Sequence, residues 1–177
     1  MSILPEEIKT LPSLARYTVE EYINTGAIIN FDNIDFEDYK NKQAGVFVTL
    51  KIEGHLRGCI GTISPTQKNI IIETVMNAIS ASTRDPRFRP VDKIELKDIS
   101  YSVSLLMPPE VIDSKEMLDP NRYGVIVTSG HKRGLLLPRL ESINTIDEQL
   151  YHAMMKAGIR QHEPISLSRF ESIEFHE

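Results

Sequence analysis

Hydrophobic and polar positions along the chain follow two periods, which predicts both helices and strands. Apolar residues at helical spacing predict a helix over residues 11–24, a second after Ser64 and a third between Thr145 and Gly158. Alternation of apolar and polar residues predicts strands at 45–51 and 99–105, a pair of runs joined through a turn predicts hairpin strands at 124–129 and 134–137, and a final strand is predicted at 165–175. Tight turns separate several of these strands, so we expect an α+β fold of mainly antiparallel sheets flanked by helices.

The second helix has a local start signal. In Ser64-Pro65-Thr66-Gln67, Ser64 stands at the N-cap position, proline at the first helical position and glutamine where a capping box needs it. The helix must end before residues 84–90, because two prolines interrupt the backbone there. Thr145 and Glu148 form a similar box for the third helix, and Gly158 predicts its end. A short helical turn is expected near Ser114–Leu118, and residues 130–133 are expected to join a hairpin.

The strand from Gly45 and the following run Leu56-Arg57-Gly58-Cys59-Ile60-Gly61-Thr62 predict a hairpin whose register decides where Cys59 lies. A three-residue loop, 52–54, pairs Leu50 with Leu56 and Val46 with Ile60, and leaves Cys59 opposite Phe47. A two-residue loop instead places Arg57 among aliphatic side chains, where an unpaired charge is costly. We therefore predict the three-residue loop, with Arg57 and Cys59 on the face opposite the aliphatic residues.

Glycines flank the cysteine of this run. Glycine within a strand marks a bulge or a close approach by another backbone or a ligand, so Gly58 and Gly61 are candidate ligand-contact positions together with Thr62. Arg57 stands one pleat repeat from Cys59. Its guanidinium suits a carboxylate or phosphate and favours the thiolate form of a neighbouring cysteine.

Composition limits the functional classes. The chain has 177 residues, 41% of them hydrophobic, and a net charge of -5, which argues against non-specific binding of nucleic acid. One cysteine allows no internal disulfide and no Cys-x-x-Cys zinc site. Residues 1–9 lack a basic region followed by an apolar stretch, and no segment approaches a membrane span, so we predict a cytoplasmic protein that does not bind membranes.

The combination of motifs resembles the AMMECR-type domain family. The LRGCIGT run is followed by Asp85-Pro86-Arg87-Phe88, by the strand 102–106 with Pro109-Glu110, and by Arg133-Gly134-Leu135-Leu136-Leu137-Pro138. The similarity extends over nearly the whole chain, 1–177. One departure is the pair Arg139-Leu140, which stands where the family usually has Gln-Val, and the Trp-Asp pair that follows there is also missing.

The resemblance implies a single domain of two unequal subdomains, the larger built from both chain ends, with a cleft that exposes the LRGCIGT segment. It also implies a link to a Memo-like protein and a radical SAM protein, as in the AmmeMemoRadiSam system, but no settled activity and no known cofactor. Carried over by motif, the positions of interest are Arg57, Gly58, Cys59 and Gly61, with Asp85 and Arg87 as further candidates.

Each candidate also has a structural interpretation. Cys59 is either a nucleophile or a small buried residue, and the sequence-near His55 lies too far away to act as its base. Arg57 either binds an anion or forms an ion pair with Asp85 or another acid. Asp85 and Arg87 either contact a ligand or anchor a helix end. The sequence contains no metal-binding pattern.

Two functions therefore remain open. One is an enzyme, or an accessory factor, that binds a small anionic ligand at the LRGCIGT segment, with Cys59 as the catalytic residue. The other is a protein-interaction or scaffold module without catalytic activity, in which Cys59 reacts poorly. The first function predicts loss of activity in Cys59→Ser.

Overall fold

The computed structural model describes residues 8–30 and 36–177, which form two compact units. Leu106–Ile173 form one unit, and the described residues before Leu106 form the other together with Glu174–Glu177. The fold is α+β, with two four-stranded antiparallel sheets flanked by helices, so the predicted class is confirmed. Among the described residues, no helix combines the length and apolar character that crossing a membrane requires.

The first sheet has the strand order β2-β1-β3-β8. Its strands are β1 (Gly45–Ile52), β2 (His55–Gly61), β3 (Ile99–Leu106) and β8 (Ser172–His176). The helices of this part of the chain are α1 (Leu11–Thr25), α2 (Glu37–Lys40) and α3 (Ile70–Thr83), followed by a 3-10 helix at Lys93–Asp98. One face of the sheet is apolar and packs against α1 and α3. The core between them includes Val48 of β1, Val103 of β3, Leu14 of α1 and Val75 of α3.

The second sheet has the strand order β4-β7-β5-β6. Its strands are β4 (Glu110–Ile112), β5 (Gly124–Ser129), β6 (Lys132–Leu136) and β7 (Ser166–Phe170). A 3-10 helix at Lys115–Met117 and the helix α4 (Ile146–Ala157) complete the unit. Its smaller core includes Val125 and Val127 of β5 with Leu150 and Ala153 of α4.

Local signals locate two helices correctly. The predicted first helix is α1, which ends at Gly26 in the left-handed conformation, with φ of 76°. The predicted third helix is α4. Thr145 accepts a hydrogen bond from the Glu148 amide, the Glu148 side chain bonds back to the cap, and Gly158 ends the helix.

The predicted start of α3 at Ser64 is wrong. The helix begins at Ile70, and Asn69 is its N-cap, with a side chain that accepts a hydrogen bond from the Ile72 amide. The amides of Thr66 and Gln67 donate to the carboxylate of Glu73. These two hydrogen bonds from the following helix hold the backbone at residues 66–67 in an irregular turn where the capping signal predicts helix.

The predicted register of the β1–β2 hairpin is also wrong. The loop has two residues, Glu53 and Gly54, both with positive φ, as in a type I′ turn. Cys59 pairs with Thr49 instead of Phe47, and Leu50 pairs with Gly58. The ladder then skips one residue, so that Lys51 pairs with Leu56.

The skipped residue is Arg57, which forms a bulge in β2. The bulge removes Arg57 from the ladder, and the guanidinium pairs with Glu95 instead of lying among aliphatic side chains. The objection to a two-residue loop therefore does not apply. Because the shorter loop and the extra residue compensate, Cys59 keeps the predicted face, which it shares with Phe47 and Thr49.

The last predicted strand is two strands. The chain leaves the second sheet at Phe170 and enters the first at Ser172, so residues 165–175 supply both β7 and β8. The hairpin of the second sheet has a shorter loop than predicted, because β6 begins at Lys132. β4 was not predicted. The predicted absence of a leader concerns residues 1–9, of which 1–7 lie outside the described residues.

Candidate functional site

The strand that carries Cys59 lies at the edge of its sheet, and the loop after α3 covers that edge. The Cys59 amide donates to Oδ2 of Asp85 at 2.9 Å, and the Cys59 carbonyl accepts from Nη2 of Arg87 at 3.2 Å. Two side chains thus take the place of a neighbouring strand. These contacts bring together two of the motifs that carry the family resemblance.

Asp85 is the centre of this arrangement. Its side chain is 2% exposed, and besides the Cys59 amide its carboxylate accepts the amide of Arg87 at 3.1 Å and the Arg87 guanidinium at 2.9 and 2.7 Å. The hydrogen bonds from Arg87 lower the pKa of Asp85 to about 2, against the opposing effect of burial, and the Cys59 amide adds to the decrease. Asp85 is therefore a charged, fully bonded anchor.

Arg87 presents the accessible positive charge of the site. Its side chain is 53% exposed, and Nη1 makes no hydrogen bond with any described residue. Hydrogen bonding to Asp85 raises the pKa of Arg87, burial opposes this, and interaction with Cys59 contributes further. A guanidinium that is fixed on one edge and open on the other is suited to bind a carboxylate or a phosphate.

Cys59 is half-buried beside this guanidinium. Its Sγ accepts a hydrogen bond from the Thr49 hydroxyl at 3.3 Å, so the thiol is oriented by the strand that it pairs with. Among the described residues, no group of three or more His, Cys, Asp and Glu side chains is placed to hold a metal ion. The arrangement of Thr49, Cys59 and Arg87 suits an anionic or electrophilic small molecule.

Arg57 has the second of the two environments expected for it, an ion pair with an acid other than Asp85. Its guanidinium forms a two-pronged ion pair with Glu95, with Nε–Oε1 and Nη2–Oε2 distances of 2.7 and 2.9 Å. It also donates to the carbonyls of Arg89 and Pro90. Hydrogen bonding to Glu95 raises the pKa of Arg57, while burial opposes the increase. Most of its donors thus hold the loop against β2, and a ligand contact by Arg57 stays a prediction.

The two glycines of the run are close-packed against protein atoms. A Cβ on Gly58 would lie 2.3 Å from the carbonyl oxygen of Ala81, where α3 crosses β2. A Cβ on Gly61 would lie 2.3 Å from Cγ of Phe47. The close approach that glycine predicts is therefore present at both positions. Its partners here are a helix backbone and an aromatic ring.

Thr62 forms a hydrogen bond with a second buried carboxylate, that of Glu73. Its hydroxyl donates to Glu73 at 2.7 Å, and the amide and hydroxyl of Thr66 and the amide of Gln67 donate to the same side chain. Burial raises the pKa of Glu73, but these hydrogen bonds outweigh it, so that the pKa is lowered overall. Glu73 is 1% exposed, and no described residue pairs with it as a cation.

The structure therefore brings Cys59, Asp85 and Arg87 together, with Arg57 and Gly58 beside them and Thr62 directed to Glu73. Thr49, Glu73 and Glu95 are not among the site residues predicted from the sequence. Thr49 could have been predicted, because the alternation already places Thr49 on the face of Cys59. Glu73 could have been suspected only from being an acidic residue in the otherwise apolar first turn of α3. Nothing in the sequence indicates that Glu95 pairs with Arg57.

Comparisons with known proteins agree with the motifs. The AMMECR1 family model matches residues 12–175. A protein of Thermotoga maritima is 47% identical over 154 residues, which cover 86% of this chain and 88% of that protein. A protein of Clostridium acetobutylicum is 49% identical over 158 residues, or 89% of this chain, but the chain spans only 34% of that protein. The crystal structure of an uncharacterized protein from Pyrococcus horikoshii superposes with a TM-score of 0.87 at 33% identity, covering 94% and 89% of the two chains.

Fold and site together define an α+β protein of two sheets in which an arginine and an aspartate hold a cysteine-bearing edge strand. The chain belongs to the AMMECR1 family, and the resemblance drawn from its motifs is confirmed.

Proposed function

We propose that this protein binds a small anionic ligand at Arg87 and Cys59, as an enzyme or as an accessory factor of one. The single observation that carries the proposal is the open Nη1 edge of Arg87 beside the Cys59 thiol, in a guanidinium whose other edge is fixed by buried Asp85. Fixed geometry reduces the ordering cost of binding, and a charge-assisted hydrogen bond supplies affinity.

Within this proposal each residue has a separate role. Arg87 contacts the anion, Cys59 is the residue that reacts with the ligand or lies against it, and Thr49 orients the thiol through its hydroxyl. Asp85 positions Arg87 and the Cys59 backbone without contacting the ligand, since all its hydrogen bonds go to the protein. Arg57 supports the loop from the other side through Glu95.

The experiment compares alkylation of Cys59 by iodoacetate, an anion, and by neutral iodoacetamide. Since the chain has one cysteine, the mass of the intact protein measures alkylation of Cys59 alone. We expect the iodoacetate-to-iodoacetamide rate ratio to be higher in the native protein than in the same chain unfolded in urea. Arg87→Met should lower the iodoacetate-to-iodoacetamide rate ratio of the native protein by roughly three- to tenfold. This is the effect expected when an anionic reagent loses its attraction to one nearby, partly screened positive charge.

Arg89→Met is the matched control, because Arg89 lies in the same loop and is exposed. Its ratio should stay near that of the wild type, and Arg87→Lys, which keeps the charge but loses the fork, should lie between. Equal ratios in the native and unfolded chain would reject the anion site. A thiol that barely reacts in the native protein would favour the alternative, an interaction module without catalytic activity.

We further propose that the protein acts with a Memo-like and a radical SAM protein, which the family resemblance supports. Co-expression of the tagged chain with both proteins of one organism tests this proposal. The expected result is co-purification or a change in the Cys59 alkylation rate on addition of either protein. Absence of both effects would argue against a direct partnership.

A further inference from the structure

The face of the first sheet that carries Cys59 and Thr49 also carries a polar depression of about 190 Å³. Its lining comes from β1, β3 and β8 and comprises Lys51, Ser100, Tyr101, Ser102, His176 and Glu177. Lys51 follows Thr49 by two residues in the same strand, so both side chains point to one face about 7 Å apart. The depression therefore continues the surface on which Cys59 lies.

Lys51 gives this depression a positive charge that the protein leaves unpaired. The side chain is half-buried, and no described carboxylate lies within ion-pairing distance of its ammonium group. An ammonium group without a carboxylate partner keeps its hydrogen-bond donors available for an anion. The structure thus contains two separate cations that each have an open side, Arg87 at the outer edge of β2 and Lys51 on the neighbouring strand β1.

The acidic groups nearby are already engaged. Both carboxylate oxygens of Glu177 accept hydrogen bonds from Arg16 at 2.6 Å, and one also accepts the Tyr101 amide. Glu174 lies 3.6 Å from Nε2 of His176. Glu177 therefore presents a neutralised ion pair to the depression and does not compete for Lys51.

Hydroxyl groups complete the lining. The Ser100 hydroxyl donates to the Lys51 carbonyl at 3.3 Å and links β3 to β1. Ser102 is buried, and no described residue forms a hydrogen bond with its hydroxyl. An ammonium group and a free hydroxyl that line one depression form a donor set that suits a carboxylate or a phosphate.

We propose that this depression is a second anion-binding point, so that the ligand of the protein is a small dianion with one charged group at Arg87 and the other at Lys51 and Ser102. The proposal rests on the proposed anion site at Arg87 and specifies its ligand class. A dianion gains from both points at once because the second contact is intramolecular after the first has formed.

Protection of Cys59 from iodoacetamide measures this directly. The probes are succinate, adipate and suberate, and each is compared with its monomethyl ester, which keeps the chain length but has one charge. We expect at least one dicarboxylate to protect at a concentration about tenfold lower than its ester, as one charge-assisted hydrogen bond predicts. Lys51→Met should remove this advantage, and Ser102→Ala should reduce it.

Lys97→Met is the matched control, since Lys97 is an exposed lysine outside this face, and it should keep the full advantage. Thermal denaturation of every variant checks that the fold is intact. If the diacids and their monomethyl esters protect Cys59 equally well, there is no second binding point at Lys51, and only the Arg87 site is supported. Loss of the advantage in Lys97→Met as well as Lys51→Met would also overturn it, because net charge would then explain the effect. If no anion protects and the iodoacetate ratio is not raised, the Arg87 site itself is wrong.

Discussion

Gly58 is the residue where the edge strand and α3 are closest. An added methyl group would lie 2.3 Å from the Ala81 carbonyl oxygen, which belongs to a helix backbone and cannot rotate away. We predict that Gly58→Ala lowers the free energy of unfolding by about 1 to 3 kcal/mol through overpacking. Urea denaturation followed by circular dichroism measures the change.

Gly130→Asn provides the comparison for this prediction. Gly130 has φ of 58° and no atom within 4 Å of an added Cβ, and asparagine tolerates this left-handed conformation. Its free energy of unfolding should change by less than about 0.5 kcal/mol. If both variants lose equal stability, the contact with Ala81 is not what requires glycine at position 58.

Asp85 makes stability depend on pH in a defined window. Its pKa is about 2 in the folded protein, chiefly because of the Arg87 hydrogen bonds. An unfolded aspartate titrates near 3.9, so as the pH falls the unfolded chain binds the proton first. The stabilisation is complete above about pH 5, is lost as the pH falls toward 2, and amounts to about 2 kcal/mol.

Asp85→Asn removes this titration. We predict that the variant is less stable than the wild type at pH 7, and that the difference in free energy of unfolding narrows between about pH 5 and pH 3. Urea denaturation at several pH values measures both curves. Parallel curves across this range would show that the Asp85 carboxylate is not selectively stabilised in the fold.

At the scale of elements, Glu73 joins the start of α3 to the turn that precedes it. Its buried carboxylate accepts from two backbone amides and two hydroxyls, all of them donors. Glu73→Gln replaces one acceptor oxygen with a donor NH₂ group, so we predict a loss of about 1 to 3 kcal/mol in the free energy of unfolding. The Thr66 and Gln67 amides should also exchange faster with solvent deuterium.

Glu37→Gln is the control for Glu73. Glu37 is 75% exposed and pairs with Lys40 at the surface, where an ion pair contributes little. Unchanged exchange of the Thr66 and Gln67 amides in Glu73→Gln would contradict the proposed role of the carboxylate in holding the turn.

The sequence locates elements where capping signals act within the helix itself and fails where a side chain outside the signal binds the backbone. Thr145, Glu148 and Gly158 act within their own helix, so α4 follows from them. The signal at Ser64 is equally clear, but the Glu73 carboxylate accepts hydrogen bonds from the Thr66 and Gln67 amides, six and seven residues earlier, and the helix begins only at Ile70. The alternation in residues 165–175 is broken at Arg169, Phe170 and Glu171, and the single predicted strand passes over this break, which coincides with the change of sheet.

The sequence likewise predicts only part of the candidate site. Its residues could be selected from motifs, and alternation gave the correct face for Cys59. The partners could not be selected, because Arg57 pairs with Glu95 and Cys59 with Asp85 across 38 and 26 residues of sequence. No periodicity indicates which acid a guanidinium meets. Gly58 indicates a bulge or a close approach, but the sequence does not indicate that Arg57 leaves the ladder or that Glu95 is its partner.

At the scale of the whole molecule, one ion pair joins distant parts of the chain. Arg16 of α1 forms hydrogen bonds with Glu177 through Nε and Nη2, and it also binds the Ile99 carbonyl of β3. Hydrogen bonding to Glu177 raises the pKa of Arg16. We predict that Glu177→Gln lowers the free energy of unfolding by about 1 kcal/mol, as for a partly buried, two-pronged pair.

Glu174→Gln is the matched control, because Glu174 contacts only exposed His176 among the ion pairs of the described residues. Its unfolding midpoint in urea should stay close to that of the wild type. Hydrogen exchange should locate the effect of Glu177→Gln at the Tyr101 amide, which donates to the Glu177 carboxylate. Unchanged exchange there would contradict a linking role for this pair.

The covered edge of β2 also bears on how copies of the chain meet one another. An open strand edge invites a strand from a second molecule, which is a common first step of aggregation. At Cys59 both backbone groups are already taken, the amide by Asp85 and the carbonyl by Arg87. These two side chains therefore keep the strand from recruiting another chain at Cys59, and we predict that a variant that loses either aggregates at a lower protein concentration, which light scattering measures.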